Sequence, residues 1–301
     1  MKKIILSVAV ATMALSTAAA ALEDIKVNGQ AKVWYETNNV QDNSLFSKNQ
    51  GADAASTTLN ANNTALNNGK VGQSSGEVVF KLGVTGKQGN VGFGATIYDS
   101  STMGLENTLV GSARTNTANG DMFVGEMYIT APVGSKTLLK FGKQELDTPL
   151  AYTERWNAIP NTFNAAVAIN NSFDNLTLIA AYVGQGSTNT DSNASTPNWK
   201  TDGTPTTSYS TGTLSSLITG ATSTAGTYAI AALYKNDAFA VNVWGYELAS
   251  VANAVWIDAA MKVGPAHVKA YAAQMMPKGA AATMDDTTAL ALSAGMDVSG
   301  I

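Results

Sequence analysis

Apolar and polar residues alternate one by one along much of this chain. In the clearest segment, Ile25, Val27 and Val33 share one parity while Lys26 and Lys32 share the other. Successive side chains of a β-strand point to opposite faces, so this segment has one face suited to lipid and one suited to water. About twelve segments of roughly ten residues repeat the pattern, and ten residues is the length of a tilted membrane strand.

The connections between these predicted strands alternate between long and short. The first strand is predicted at 25–36, and the others at 77–85, 91–98, 121–131, 136–145, 163–170, 175–184, 227–235, 238–248, 253–263, 266–276 and 287–298. A soluble sandwich has no reason to keep this parity, whereas an outer-membrane barrel has tight periplasmic turns and long outer loops. Within hydrocarbon every backbone polar group must be paired, so strands span a bilayer only in a closed sheet. The predicted fold class is therefore all-β, an antiparallel transmembrane β-barrel.

The first 21 residues are predicted to be an export signal. Lys2 and Lys3 precede an apolar core at 4–15 and an alanine-rich stretch at 17–21, which is the order of regions in a secretory signal peptide. The core is too short to span a bilayer, and no later apolar run approaches the roughly 18 residues of a membrane helix. Residues 22–301 are predicted to form one barrel domain.

The composition narrows the classes of partner. Charged residues make up 13% of the chain, against about 25% in an ordinary soluble domain. The formal charge is −4, and it becomes more negative when the two lysines of the signal are removed, which argues against nucleic acid as a partner. There is no cysteine, so disulfides and metal thiolate sites are excluded. We expect no cofactor and no bound metal.

The polar parity of the predicted strands carries most of their charge. A Lys or Arg on the lipid face at mid-bilayer costs about 2–4 kcal/mol, so charged residues of one parity are expected to face a water-filled lumen. Segments 227–235 and 238–248 carry alanine and aromatic residues on both parities, and the pattern does not decide their faces. The predicted lumen residues are Lys26, Lys32, Glu77, Lys81, Glu126, Asp258, Lys262, His267 and Lys269.

The segment KFGKQELDTPLAYTERWNAIPNTFNA, residues 140–165, differs from the other connections. Residues 142–149, from Gly142 to Pro149, and residues 160–163, Pro-Asn-Thr-Phe, resemble the start and the return of the constriction loop of OprD-type porins and of the related major outer-membrane porins of epsilonproteobacteria. In this chain Lys143 replaces the usual arginine and Asn164 stands where an acid is common.

The resemblance implies an outer-membrane channel for passive diffusion of ions and small hydrophilic solutes, with weak charge selectivity. It implies that Asp147, Glu154 and Arg155 project toward the solute, and that Lys140 and Lys143 lie on the facing wall. Its partners would be outer-membrane lipid and the permeating solutes, with a homotrimer as a candidate assembly. Porin barrels have roughly 16–18 strands, so further strands are expected beyond residue 301; the alternative is that about twelve strands form a smaller barrel.

The same segment suggests how such a loop is held inside a lumen. Pro149 and Pro160 restrict the backbone near its two ends, and Trp156 and Ile159 offer apolar surface for the inner wall. We therefore predict Pro149, Trp156 and Pro160 as loop anchors. An alternative is that Asp147 caps a turn and that Glu154 pairs with Arg155 only to hold the loop together.

Two other functions are consistent with parts of the pattern. A surface adhesin or structural outer-membrane β-protein also has alternating strands and polar loops, without conduction. An enzyme is disfavoured, since His267 is the single histidine and leaves little room for Ser-His chemistry. Asn193 lies in an acid-x-Asn-x-Ser sequence that resembles a bacterial glycosylation acceptor, although such a match arises easily by chance in an Asn/Ser-rich loop.

Overall fold

The computed structural model describes residues 22–37, 74–101, 123–156, 159–187, 211–212 and 226–296. The predicted signal peptide and Asn193 lie outside this set. Among the described residues, no helix has the length and the apolar character that crossing a membrane needs. The strands are β1 Glu23–Thr37, β2 Ser74–Gln88, β3 Val91–Ser101, β4 Phe123–Val133, β5 Thr137–Gln144, β6 Phe163–Phe173, β7 Leu176–Ser187, β8 Thr211–Gly212, β9 Thr227–Lys235, β10 Phe239–Leu248, β11 Ala252–Val263, β12 Ala266–Pro277 and β13 Thr287–Met296.

All of these strands belong to one antiparallel sheet. Each long strand pairs with the next along the chain, in the order β1-β2-β3-β4-β5-β6-β7-β9-β10-β11-β12-β13, and the short β8 pairs with the end of β7. Within the described part of the chain, β1 and β13 are the two ends of this order. The predicted all-β antiparallel fold is confirmed, and each predicted strand boundary lies within three residues of the observed one.

Tight turns join the strands at one end of the sheet, as predicted. They are two or three residues long, at 89–90, 134–136, 174–175, 236–238 and 264–265. Four of them contain a residue with positive φ, a conformation that glycine and asparagine adopt at low cost; these are Gly89, Gly134, Asn175 and Gly264. One connection breaks the predicted parity, because residues 249–251 join β10 to β11 at the end where long loops are expected.

The register separates an apolar outer face from a charged inner face. Residues paired across neighbouring antiparallel strands lie on the same face. Through pairs such as Lys32 with Val79 and Thr96 with Glu126, the register assigns a common face to Lys26, Lys32, Lys81, Glu126, Lys140, Asp258, Lys262, His267 and Lys269. The backbone of Glu77 has the same parity, but its side chain lies outside the described residues. The other face exposes large apolar side chains, with Leu290 at 78%, as a lipid-facing surface requires.

The inner face is not polar throughout. On β9 to β11 it carries a buried cluster that includes Ala229, Trp244, Tyr246 and Ala254. These residues pair across the strands and so share the inner face. This cluster explains why the sequence pattern did not show which side of β9 and β10 faces the lumen. Both faces of these strands are apolar, because one faces lipid and the other packs against the cluster.

Candidate functional site

Residues 145–156 and 159–162, between β5 and β6, fold over the inner face; we refer to them as the inner loop. Ile159 is 1% exposed and forms a buried cluster with Val79 of β2 and Tyr98 of β3. Leu150, nearer the start of the loop, packs against the buried cluster on β9 to β11. Because β4 to β7 lie between these two regions of the sheet, the inner loop contacts opposite parts of the inner wall.

The first part of the inner loop is closed by hydrogen bonds between its own residues. The backbone of Thr153 donates to the carbonyl of Leu146 at 2.8 Å, and the Thr153 hydroxyl accepts from the Leu146 N–H at 2.9 Å. The Thr148 hydroxyl accepts from the Ala151 N–H at 3.0 Å and donates to its carbonyl at 3.1 Å. These bonds satisfy backbone groups that the surrounding strands do not reach, so this part of the loop holds its shape.

Asn161 ties the returning part of the inner loop to its middle. Its Oδ1 accepts from the Glu154 N–H at 2.6 Å, and its Nδ2 donates to the Tyr152 carbonyl at 3.0 Å. The side chain is buried. The asparagine of the Pro-Asn-Thr-Phe return therefore has a structural role that the sequence match alone did not define.

We expect Asn161→Ala to loosen the inner loop. The change removes two hydrogen bonds that hold the loop together, each worth about 0.5–1.5 kcal/mol. Trypsin cleavage after Arg155 in the detergent-solubilised protein should become at least about fivefold faster. Asn164→Ala is the control, because Asn164 is an exposed residue of β6 that donates to the Gln185 side chain. Equal cleavage rates for the two variants would contradict the role of Asn161.

Arg155 joins two acidic residues of the inner loop. Its Nη1 and Nη2 donate to the two carboxylate oxygens of Asp147 at 2.5 and 3.0 Å, and its Nε donates to Glu145 at 2.7 Å. A guanidinium that binds a carboxylate through two parallel bonds fixes geometry as well as charge. The hydrogen bond to Asp147 raises the pKa of Arg155 further above its usual range, with Glu145 contributing in the same direction. The guanidinium therefore pairs with Asp147 and Glu145, not with Glu154.

Glu145 also faces basic side chains of the wall. It interacts electrostatically with Lys32 of β1 and Lys140 of β5, and its backbone N–H donates to Glu126 of β4 at 3.4 Å. The Lys140 ammonium lies 3.8 Å from the centroid of the Tyr128 ring. Sequence reasoning did not select Glu145 as a site residue; its position beside Asp147 at the start of the loop was the available signal. The site thus combines a carboxylate group on the loop with lysines on the wall.

The register corrects the prediction for Lys143. It pairs with Met127 of β4 and Asn164 of β6, and this parity is opposite to that of Lys140. Its ammonium donates to the carbonyl of Val124 at 2.7 Å. Since adjacent residues of a strand point to opposite faces, two lysines three positions apart do not share one wall.

The structure contradicts one of the three predicted anchors of the inner loop, Trp156. Trp156 is 60% exposed and stacks on Tyr152 with 5.6 Å between ring centroids, so it does not anchor the loop to the wall. Pro160 is buried next to Ile159, and Pro149 is half-buried in the first part of the loop. At this end of the loop Ile159 makes the wall contact, in a buried cluster with Val79 and Tyr98.

Four of the predicted lumen residues, Asp258, Lys262, His267 and Lys269, lie on β11 and β12. Asp258 accepts hydrogen bonds from the Asn242 amide at 2.7 Å and from the Trp256 indole at 3.2 Å. Lys262 and His267 are cross-strand neighbours. Glu126, Lys140, Asp147 and Arg155 lie in one region, at the inner loop. The residues on β11 and β12 belong to another part of the inner face.

An antiparallel sheet with an apolar outer face, a charged inner face and a loop folded across that inner face is the architecture of outer-membrane porins. The solved structures agree. OccK9 (OpdG) of Pseudomonas aeruginosa has a TM-score of 0.59 and 15% identity, over 91% of this chain and 65% of that protein. A BenF-like porin of Pseudomonas fluorescens Pf-5 has a TM-score of 0.57 and 14% identity, over 91% and 64%. OpdK of Pseudomonas aeruginosa has a TM-score of 0.54 and 16% identity, over 75% and 58%.

The chain belongs to the Campylobacter major outer membrane protein family, whose family model matches residues 1–288. It is therefore an outer-membrane protein, and the family resemblance predicted from the inner-loop sequence is confirmed. No match was found among curated proteins. The chain spans 58%, 50% and 65% of the length of three of the solved porins that it matches, and at such low identity those likenesses show the fold alone.

Proposed function

We propose that the protein forms a water-filled channel for passive diffusion of ions and small hydrophilic solutes across the outer membrane. The observation that carries this proposal is the inner loop, which contacts opposite parts of the inner wall and presents Asp147 and Arg155 over it. An adhesin without conduction has no use for a charged loop on its inner face. We also infer that the protein is not an enzyme, and a homotrimer in outer-membrane lipid is a candidate assembly.

Reconstitution of the full-length protein in planar bilayers tests the channel. We expect stepwise conductance increments of uniform size from protein that shows heat-modifiable migration on a gel. Heat modifiability reports a folded barrel, so it separates a folded non-conducting protein from a misfolded one. Folded protein that gives no conductance steps would favour the adhesin.

The charged groups of the site act on solutes through a transverse field. Glu145 and Asp147 lie on the loop, while Lys32 and Lys140 lie on the wall. Opposed charges across a narrow aqueous passage orient dipolar solutes and distinguish ions by sign. A small hydrophilic solute is thus filtered by charge and orientation as well as by size.

We propose a mild preference for cations, set by the acids of the inner loop. Asp147 and Glu154 lie on the loop itself and act on a passing ion over the screening length of about 8–10 Å at physiological salt, while Arg155 offsets part of the Asp147 charge. Neutralising both acids in Asp147→Asn/Glu154→Gln should shift the reversal potential under a salt gradient toward anion preference. Asp258→Asn is the control, because Asp258 lies on β11. An unchanged reversal potential in the double variant would assign the two acids to loop structure alone.

A further inference from the structure

A tyrosine of β4 lies in a gap that a glycine of β3 leaves on the inner wall. Tyr128 pairs with Gly94 across the two strands, and both residues have the parity of Glu126, so they belong to the inner face. A Cβ atom at position 94 would lie 2.5 Å from Cζ and 2.6 Å from Oη of Tyr128. The tyrosine ring therefore occupies the space that a side chain at position 94 would need.

The glycine at position 94 is explained by this ring and not by its own backbone. Glycine is depleted in strand interiors, where it marks a bulge, a bend or the close approach of another group. Gly94 does not have a positive φ, and the pairing of β3 with β4 runs without a shift from Gly92 to Thr96. The close approach is that of Tyr128, which is half-buried and covers a buried Gly94.

The Tyr128 ring in turn holds a lysine of β5. The Lys140 ammonium lies over the ring, 3.8 Å from its centroid, which is within the roughly 6 Å at which a cation is attracted to an aromatic face. Glu126 and Glu145 act on Lys140 electrostatically, but within the described part of the chain neither carboxylate is close enough to it for an ion pair. The ring therefore holds this ammonium without neutralising its charge.

The same arrangement recurs on the neighbouring strands. Tyr98 of β3 occupies the space that a side chain at Gly125 would need, and the Lys81 ammonium lies 5.5 Å from the centroid of its ring. Tyr98 also packs against Ile159 of the inner loop, so a change of Tyr98 would disturb the loop and the lysine together. Tyr128 is not part of that buried cluster, and its effect on a lysine can be measured separately.

We propose that Tyr128, seated on Gly94, is a positioning residue that fixes the Lys140 ammonium on the inner wall and thereby contributes to ion selectivity. Glu145 and Asp147 lie on the inner loop, so a lysine held at the wall keeps opposite charges on the two sides of the passage. Without the ring, the flexible lysine side chain is drawn to the nearby carboxylates, and its charge no longer acts from a fixed place. The effect on ions rests on the proposed channel, whereas the position of Lys140 does not.

Carbon-13 NMR of the full-length detergent-solubilised protein, with its lysines reductively dimethylated, tests the position of Lys140. Methylation keeps the charge of lysine, and the Lys140 signal is assigned by its absence in Lys140→Met. We expect the tyrosine ring to shift this signal upfield from those of exposed lysines. The shift should be retained in Tyr128→Phe, which keeps the ring, and lost in Tyr128→Leu.

Two further variants separate the seat of the ring from a general effect on the sheet. Gly94→Ala displaces the ring and should also move the Lys140 signal. Phe141→Leu is the control, because it removes a ring from the outer face of β5 and should leave the signal in place. A Lys140 signal that is the same in the unmodified protein and in folded Tyr128→Leu would overturn the proposal.

The reversal potential under a salt gradient tests the effect on ions. Lys140→Met removes a positive charge from the wall and should raise the cation-to-anion permeability ratio at least about twofold, for a charge at about 5–8 Å in water. Tyr128→Leu should shift the ratio in the same direction by a smaller amount, and it should add nothing in the Lys140→Met background. An equal effect of Tyr128→Leu in both backgrounds would show that Tyr128 does not act through Lys140.

The proposed channel and the proposed positioning role fail in different ways. The NMR signal is measured in solution, so it is observable whether or not the protein conducts. A protein that conducts in bilayers but has an unshifted Lys140 signal would overturn the positioning role and leave the channel in place.

Discussion

Replacing Ile159 by alanine is expected to release the inner loop from the β2–β3 wall and to raise single-channel conductance. Ile159 is 1% exposed, and its cluster with Val79 and Tyr98 is the contact that holds the far end of the loop. Truncation of a buried isoleucine to alanine costs about 2–5 kcal/mol. This corresponds to a loss of at least about thirtyfold in the ratio of docked to released loop, at about 1.4 kcal/mol per factor of ten.

Conductance should respond because a released loop no longer narrows the passage across the inner face. The strands are untouched, so the heat-modifiable gel shift should be unchanged. Trp156→Ala is the matched control: it removes a larger side chain from the same loop, but Trp156 is exposed and contacts Tyr152. If Trp156→Ala raised conductance and Ile159→Ala did not, the wall contact would have been assigned to the wrong residue.

Removal of the Arg155 guanidinium is expected to produce the largest change in ion selectivity. In Arg155→Met, Glu145 and Asp147 lose the charge that neutralises them, since within the described residues the guanidinium bonds to these two acids. A unit charge at about 5–8 Å in water contributes about 0.5–0.8 kcal/mol to the energy of a passing ion. The cation-to-anion permeability ratio should therefore rise at least about twofold, measured as the reversal potential under a salt gradient.

Arg155→Lys separates charge from geometry. Lysine keeps the positive charge but lacks the planar fork that binds both oxygens of Asp147. The reversal potential should stay near that of the unmodified protein, while single-channel current should become noisier because the loop is held less firmly. A reversal potential in Arg155→Met that matches the unmodified protein would show that ions do not pass this group.

The rise in selectivity should also depend on salt. Exposed charges act over about 10 Å at 0.1 M salt and about 3 Å at 1 M salt. The difference between Arg155→Met and the unmodified protein should therefore shrink at 1 M salt. A difference that persists undiminished would indicate a change in the width of the passage and not in its charge.

The positions of the strands and the two parities within each strand follow from local sequence. The alternation of apolar and polar residues has a period of two because a strand has two faces, and neighbouring residues are sufficient to define it. That is why the twelve long strands were predicted within three residues, and why Lys32, Lys81 and Asp258, which share one parity in the sequence pattern, also share one face in the register. The inner-loop motif could also be recognised from the sequence, since it is a run of consecutive residues from Gly142 to Pro149.

The contacts that hold the loop, and the pairing of its charged side chains, arise from tertiary folding and could not be predicted from local sequence. Ile159 contacts Val79, eighty residues earlier in the chain, and no local pattern encodes such a pairing. Arg155 bonds to Glu145 and Asp147 because the first part of the loop folds back on itself through Thr148 and Thr153. Lys143 was assigned to the wrong wall because the motif gave its type and position but not its strand parity. Contacts between segments that are far apart in sequence depend on how the chain is folded in space. The order of residues alone does not specify which of these segments come into contact.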